Sequence, residues 1–354
     1  MDFILNGRGQ GDVAQILLAN DFQVGALRPF RGRDGRSYMT INEMVDGDMK
    51  ERTIVANTTA ALRKDDWIQL DTAIIKAAKE RLRAVADLRA LGLTYNIPNG
   101  MSKTVLQYER QSDITEATVS MNGLRQSQSD RPYFDLNNLP LPIIHKDFEL
   151  DLRGLRASQN GGSPLDTTTG ELAARRVAEM AEKLLLGLTG TYQYGGGTVY
   201  GYTNYTGRMT ASMTLPTAPG WVPGDTVEEV LGMKQQSQLA LHYGPWMLYN
   251  SPNWDQYLDN DYSAAKGDLT LRERLKKIDG IQDVRTLDFL TGYQMILVQL
   301  TSDVIREVIG MDVVTLQWET HGGMMQNYKV MCIMVPQLRS DINGKTGIVH
   351  GTAA

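Results

Sequence analysis

Two consecutive hydrophobic patterns between Ile143 and Leu188 predict the clearest structural elements of the chain. Over Ile143–Leu152, apolar residues alternate with acidic ones, which predicts a strand with one face in water. From residue 168 the spacing becomes helical, with an apolar face made of Ala173, Val177, Met180, Ala181, Leu184 and Leu188. Thr168 and Glu171 have capping-box spacing, and Gly187 is expected to end the helix. We therefore expect a spine helix of about twenty residues, roughly 30 Å long.

A second helix and a projecting ribbon are predicted before the spine. The aspartate pair 65–66 can cap a helix that ends before Gly92, with an apolar face made of Trp67, Leu70, Ile74, Ala78, Leu82, Val85 and Leu88. Thr104–Arg110 and Thr115–Met121 have the alternation of strands, and a polar tip then leads into Ile143–Leu152. We expect these strands to form a long hairpin, which is marginal alone and must pack on something else.

Helical and strand patterns also alternate after the spine. Residues 190–213 are rich in Gly and Tyr and predict short strands or turns. Helices are expected at 226–241, 271–278 and 303–310, and strands at 246–250 and 293–300. This alternation predicts a mixed α+β domain.

The two ends of the chain have different patterns. Met1 to about Lys50 have little apolar periodicity apart from Val13–Ala19. They predict an extended arm that orders against the body or a neighbouring subunit. The tail contains an apolar strand at 328–335, which we expect to return the chain to the spine.

Composition and charge exclude several classes of protein. With 42% hydrophobic and 22% charged residues, the chain has ordinary globular composition. Its net charge of -5 argues against a protein that mainly neutralises phosphates. No apolar run is long enough to span a membrane, and the N-terminus lacks the pattern of a signal peptide. We expect a soluble protein made in a cytoplasm, with Cys332 as a buried hydrophobic residue.

No local motif predicts catalysis or metal binding. The four His residues lie in four different segments, so neither a metal site nor a cofactor is expected. The segment 344–346 reads GKT, but Arg339 stands where a phosphate-binding loop needs its first Gly. No GxSxG occurs. Carboxylates such as Asp147, Glu149 and Asp151 suit the wet face of a strand, and paired-carboxylate catalysis stays open as an alternative.

Several segments resemble the shell proteins of encapsulin nanocompartments and the major capsid proteins of tailed bacteriophages. They are LPLPIIHKDFELDLRGL from Leu139, PLDTTTGELAARRVAEMAEKLLLGLTG from Pro164, VTLQWETHGG from Val314 and VPQLRSDINGKTGIVHG from Val335, together with Gly201, Tyr202 and Asn204. The resemblance extends from about Asp65 to Gly351. It implies an α+β subunit of the Hong Kong ninety-seven fold, in which Ile143–Leu152 is the returning arm of an extended loop.

The resemblance also implies a division of the chain into six parts. These are an N-terminal arm (1–60), the first helix and start of the peripheral domain (61–103), the extended β-hairpin loop (104–152), the peripheral domain with its spine helix (153–222), the axial domain (223–319) and a C-terminal return to the peripheral domain (320–354). We expect an assembly interface made of Ile144, Phe148, Leu150, Leu152, Val119, Met121, Tyr133 and Phe134. Phe148→Asp or Leu150→Asp is then expected to leave a folded subunit that cannot assemble.

The implied function is that of a structural protein rather than an enzyme. Copies would form hexamers and pentamers of an icosahedral virion capsid, assembled in the host cytoplasm, with scaffold, portal and decoration proteins as further partners. The mildly acidic chain would enclose DNA without binding it specifically. Two alternatives stay open: an encapsulin shell that carries cargo, and, more distantly, a soluble enzyme with an α+β domain.

Overall fold

The computed structural model describes residues 24–45, 48–57, 60–111, 117, 119, 121, 131–132, 134–160, 167–262, 269–341 and 343–353. Its strands are β1 (Phe30–Arg31), β2 (Ser37–Val45), β3 (Asp48–Val55), β4 (Thr94–Asn96), β5 (Val105–Gln111), β6 (Phe134–Pro140), β7 (Ile144–Asp151), β8 (Tyr192–Tyr194), β9 (Gly197–Val199), β10 (Met209–Met213), β11 (Trp246–Asn250), β12 (Ile281–Thr286), β13 (Gln294–Gln299), β14 (Ile305–Thr320), β15 (Met325–Leu338) and β16 (Ile348–Ala353). Its α-helices are α1 (Lys64–Lys79), α2 (Ala84–Ala90), α3 (Leu152–Asn160), α4 (Thr168–Leu186), α5 (Pro223–Leu239), α6 (Asp255–Leu258) and α7 (Leu271–Lys276).

The spine helix α4 forms as its periodicity predicts, with 19 residues. Gly187 ends it in the left-handed conformation, at φ 82°, as expected. The N-terminal prediction is one residue off, because Thr167 precedes the helix and its hydroxyl donates to the Glu171 carboxylate at 2.6 Å. The expected burial of Met180 and Leu188 is wrong, since both are exposed.

The buried face of α4 is turned relative to the predicted one because the helix packs on two elements at once. It contacts α1 on one side and strands β7 and β15 on the other. Ala174, Ala178 and Leu185 are therefore buried, although they lie off the predicted stripe. Each fully buried leucine contributes about 1.5–3 kcal/mol to stability.

A four-stranded sheet in the order β4-β14-β15-β7 lies against the spine. β14 and β15 pair antiparallel over almost their full lengths. The segment 303–310, predicted to be a short helix, instead begins β14 from Ile305. The apolar strand predicted at 328–335 is confirmed as part of β15, and Cys332 within it is buried.

A second sheet, with the order β10-β16-β13-β11-β12, has its own hydrophobic core. Helices α5 and α7 and strands β11 and β13 occur where the sequence predicts them. β15 lies against the spine. β16 pairs with β13 and β10, and it places Ile348 in the core around the spine and Val349 in the core of the second sheet.

The helix predicted from the aspartate pair to Gly92 is two helices, α1 and α2, interrupted at residues 80–83. All seven apolar residues of its predicted face are buried, so the pattern identifies the core correctly. Upstream, β1, β2 and β3 form a three-stranded sheet. The indole N–H of Trp67 donates to the Pro29 carbonyl at 3.0 Å, and this bond ties residues near β1 to α1. The predicted segment Val13–Ala19 lies outside the described residues.

Candidate assembly surface

A two-stranded ribbon, β5 paired with β6, is buried at one end and exposes apolar side chains at the other. The pairing runs antiparallel from Val105 opposite Pro140 to Gln111 opposite Phe134. At the base of the ribbon Leu139 is buried, whereas at the far end Phe134 is 60% exposed and Leu136 is 59% exposed. The far end therefore presents apolar surface that the described part of the same chain does not cover.

The base of the ribbon is held by close packing against the β8–β9 turn. The amide of Asn138 donates to the Gly195 carbonyl at 2.9 Å. A Cβ on Gly197 would lie 2.1 Å from the Asn138 carbonyl oxygen, so the approach requires glycine. Across the strands, Arg110 and Asp135 form an ion pair at 2.7 Å, and the Arg110 hydrogen bond lowers the pKa of the Asp135 carboxyl.

The ribbon differs from the predicted hairpin in its returning strand. The sequence predicts Ile143–Leu152 in that role, but the corresponding strand β7 pairs with β15 in the sheet beneath the spine. β6 returns instead. Of the predicted strand Thr115–Met121, only residues 117, 119 and 121 lie within the described residues.

The structure places the expected assembly residues in three groups. Ile144 and Phe148 are buried in the core of the subunit, and Leu150 and Leu152 are half-buried against it. Val119, Met121 and Phe134 are exposed. Tyr133 lies outside the described residues. The buried and half-buried group lies apart from the exposed group because β7 belongs to the four-stranded sheet beneath the spine and not to the ribbon.

Phe148 has a clear structural role inside the subunit. Its ring stacks on Tyr328, with centroids 5.1 Å apart and planes 15° apart, and Trp67 meets the same tyrosine edge-on at 5.9 Å. The Phe148→Asp subunit is therefore not expected to fold, contrary to the expectation from the sequence. The new carboxylate would lie in a buried aromatic cluster and would unfold the protein.

A buried carboxylate, which the sequence analysis missed, holds the short helix α2 to the spine. Glu182 of α4 accepts hydrogen bonds from the backbone N–H groups of Ala84 at 2.7 Å and Val85 at 3.3 Å. These donors belong to the N-terminal turn of α2, which favours negative charge. Burial nevertheless raises the pKa of Glu182 to about 7. A glutamate directly beside the apolar stripe of α4 is the signal that could have identified it.

The same helix is tied to the five-stranded sheet. Asp87 accepts a hydrogen bond from the Tyr249 hydroxyl at 3.0 Å and pairs with Arg285. Arg83 pairs with Asp288 at 2.9 Å. Burial raises the pKa of the Asp87 carboxyl, and its two partners oppose that shift.

Arg89 connects α2 to the sheet beneath the spine. Its guanidinium pairs with Glu307 at 3.0 Å and with Asp312 at 3.1 Å. Burial raises the pKa of Glu307 to about 7, against the opposing effect of Arg89. Helix α2 thus has charged contacts with the spine through Glu182, with the five-stranded sheet through its own Asp87 and with the sheet beneath the spine through Glu307.

The described residues contain no group of three or more His, Cys, Asp and Glu side chains placed to hold a metal ion. Within the same residues, no helix is both long and apolar enough to cross a membrane. Burial raises the pKa of the Cys332 thiol, which keeps it protonated.

Comparison with known proteins identifies the fold. A family model described as "Family of unknown function (DUF6260)" matches residues 56–351. The type 1 encapsulin shell protein EncA of Myxococcus xanthus is 24% identical over 209 residues, which are 58% of this chain and 66% of that protein, just under two thirds of its length.

Solved structures match over more of the chain. A virus-like particle protein from Pyrococcus furiosus superposes with a TM-score of 0.58 and 15% identity, covering 80% of this chain and 98% of that chain. The capsid protein of Myoviridae phage XM1 has a TM-score of 0.55 and 9% identity, covering 75% of this chain and 91% of the other. The predicted α+β fold of phage capsid proteins and encapsulin-like shells is thereby confirmed.

Proposed function

The chain belongs to the family DUF6260, whose description assigns no function, and from its fold we propose that it is the major capsid protein of a tailed bacteriophage. Copies assemble as hexamers and pentamers into an icosahedral virion shell that encloses the genome. The observation that carries the shell-forming part of this proposal is the match to nearly the whole of a chain from a virus-like particle, 98% of its length. The match to the capsid of phage XM1 favours a phage.

The ribbon supplies a physical reason for assembly. A two-stranded ribbon is marginal alone, and its far end exposes Phe134 and Leu136. Contact with a neighbouring copy removes this apolar surface from water. Because such contacts join different patches of successive subunits, they close into rings and shells around symmetry axes. Val119 and Met121, also exposed, extend the same proposed interface.

The net charge of the chain is consistent with a shell that encloses DNA without binding it. At -5, the subunit lacks the basic excess that phosphate binding requires. Packaged DNA is therefore enclosed without specific contacts. Scaffold, portal and decoration proteins are the further partners expected of such a shell, and assembly takes place in the host cytoplasm.

A second candidate is an encapsulin shell, which the match to the Myxococcus xanthus protein favours. Both candidates require a closed particle, so the contents discriminate between them. Particles isolated from the native source would contain DNA of a defined length if the chain is a capsid protein. They would contain a co-purifying cargo protein and no such DNA if it is an encapsulin.

Electron microscopy of the chain expressed alone tests the shared part of the proposal. We expect closed, regular shells of uniform diameter. Irregular aggregates, or no particles at any protein concentration even with the neighbouring genes of the source co-expressed, would contradict it.

A further inference from the structure

Helix α5 ends in a backbone conformation that is strained for the residue that adopts it. The backbone N–H of His242 donates to the Ser237 carbonyl at 3.0 Å, and that of Leu241 donates to Gln238 at 2.9 Å. These two bonds form a Schellman motif, which requires a left-handed residue at the position of Leu241. Leu241 has φ 66°, a conformation that favours glycine.

Two other helices of the chain end in the same motif and have glycine there. Gly92 follows α2 at φ 70°, and Gly187 follows α4 at φ 82°. Their backbone bonds have the same pattern, with Leu93 donating to the Leu88 carbonyl and Leu188 to that of Lys183. Leu241 is therefore the exception among these three helix ends. An outlier of this kind points to a function outside the local fold.

The side chain of Leu241 does not stabilise a core. It is 54% exposed, and the apolar residues two positions to either side are more exposed still, Leu239 at 75% and Tyr243 at 68%. Hydrogen bonds hold the backbone of this loop in place, including the Gly244 N–H to the Gln299 side-chain carbonyl at 3.2 Å. The result is a fixed apolar surface, Leu239–Tyr243, that faces solvent in the subunit.

This surface borders an open groove of about 660 Å³ that also contains Phe134 of the ribbon. The charged groups that line the groove are three carboxylates and three basic side chains, namely Glu109, Asp303, Asp341, Arg110, Arg339 and Lys345. Such balance does not favour nucleic acid, which needs a basic surface. The apolar residues that line the groove are Phe134, Ala240 and Leu241, and exposed apolar side chains beside polar groups of both signs are typical of contacts between proteins.

We infer that Leu239–Tyr243 is a contact surface for a second copy of this chain, continuous with the proposed ribbon interface through Phe134. The inference rests on the proposed shell function. It adds to that function a surface at the end of α5, in the expected axial domain, that the neighbouring subunit covers. Leucine at position 241 is retained because its side chain is buried between subunits, where the contact offsets the backbone strain.

Substitution at position 241 separates the two roles of this residue. Leu241→Gly removes the strain together with the apolar side chain, whereas Leu241→Met keeps both. We expect the unassembled Leu241→Gly subunit to unfold at a temperature no lower than the wild type. Its threshold concentration for assembly should rise at least tenfold, while Leu241→Met assembles as the wild type does. A fall in the thermal midpoint of Leu241→Gly would mean that the leucine serves the subunit and would overturn the inference.

Thiol labelling provides a direct measurement of coverage. The native Cys332 is fully buried, so a Tyr243→Cys variant should be the only site that reacts rapidly with a maleimide. We expect labelling to be at least tenfold slower in particles than in dissociated subunits. Equal rates, or a Leu241→Gly variant that assembles at the wild-type threshold, would overturn the inference and leave the shell function standing. A wild-type chain that never self-associates would overturn both.

Discussion

Two phenylalanines, on strands that are consecutive in the chain but belong to different sheets, show how burial decides the role of a single residue. Phe148 stacks on Tyr328 inside the subunit, and Phe134 is exposed at the far end of the ribbon. The family resemblance places both in the extended loop, so both are expected at an interface. The pairing of β7 with β15 depends on contacts between residues far apart in the chain, which local alternation does not encode.

Substitution of each phenylalanine by alanine tests this assignment. Phe148→Ala should lower the free energy of unfolding of the unassembled subunit by about 3–5 kcal/mol, because it leaves a cavity in the aromatic cluster. Phe134→Ala is the matched control and should change it by less than about 0.5 kcal/mol. Denaturant titration measures both, and equal losses for the two variants would contradict the assignment.

The buried carboxylate of Glu182 makes stability depend on pH. Its pKa rises from the ordinary value of 4.5 to about 7 in the folded subunit. The folded state thus binds more protons than the unfolded state between these values. The contribution of Glu182 is therefore complete below about pH 4.5 and is lost as the pH rises through 7, by up to about 3 kcal/mol.

Thermal unfolding of the unassembled subunit between pH 5 and pH 8 checks this dependence. Burial lowers the pKa of His350 to about 4, which acts in the opposite direction below pH 6.5, and the pKa of Glu307 is also about 7. The comparison with Glu182→Gln isolates the contribution of Glu182: the stability of the wild type relative to this variant should fall as the pH rises from 5 to 8. A variant whose stability changes with pH as steeply as the wild type would refute the role of Glu182.

At the scale of elements, the end of the spine helix is fixed by a close approach of the backbone. Gly187 is left-handed, and a Cβ there would lie 2.7 Å from the Asn204 side-chain oxygen. That oxygen accepts a hydrogen bond from the Gly201 N–H at 2.7 Å. The turn after the helix therefore needs both the glycine and the asparagine.

Alanine substitutions at two left-handed glycines separate backbone strain from steric clash. Gly190→Ala, where nothing lies within 4 Å of a new Cβ, should reduce the free energy of unfolding by about 1 kcal/mol from strain alone. Gly187→Ala should reduce it by a further 1 kcal/mol or more, about the cost of displacing the Asn204 hydrogen bond. Chemical denaturation measures both losses in the free energy of unfolding. Equal losses for the two variants would count against a close approach at Gly187.

The ribbon is the element on which assembly is proposed to depend. A double variant, Phe134→Asp with Leu136→Asp, should fold with wild-type stability because both side chains are exposed. It should fail to form particles, because two charges would be buried between subunits. Gln107→Asp adds a charge to the exposed polar side of β5 and is the control, for which normal particles are expected. Sedimentation velocity measures both, and normal particles from the double variant would exclude the ribbon as the main contact.

Local pattern predicted most elements but not their partners. The spine, α5, β11, β13 and β15 follow from periodicity and helix-end residues, and they form as expected. The start of β14 was misassigned because Ile305, Val308 and Ile309 also suit a helical face. Pairing with β15 along the strand outweighs that local preference. The proposed contact surface Leu239–Tyr243 depends on exposure in the folded subunit, which local pattern does not encode.

At the scale of the whole molecule, the five-stranded sheet connects the two cores, because Tyr249 and Ile296 lie in the core around the spine and Leu248 and Leu297 lie in the second core. Charged contacts of one short helix add to this packing. Helix α2 meets the spine through Glu182, the five-stranded sheet through Asp87 and the spine-side sheet through Arg89. These are buried or half-buried groups on elements that are far apart in the chain. These contacts hold α2 against the spine and against both sheets.

The mass of the assembled species tests the central proposal most directly. Size-exclusion chromatography with light scattering should be carried out on the chain expressed alone, over a wide range of protein concentration. The shell function predicts a closed particle of megadalton mass that appears above a threshold concentration. A single species at the subunit mass of 39.4 kDa at every concentration, unchanged by adding proteins encoded beside it in its source, would contradict it.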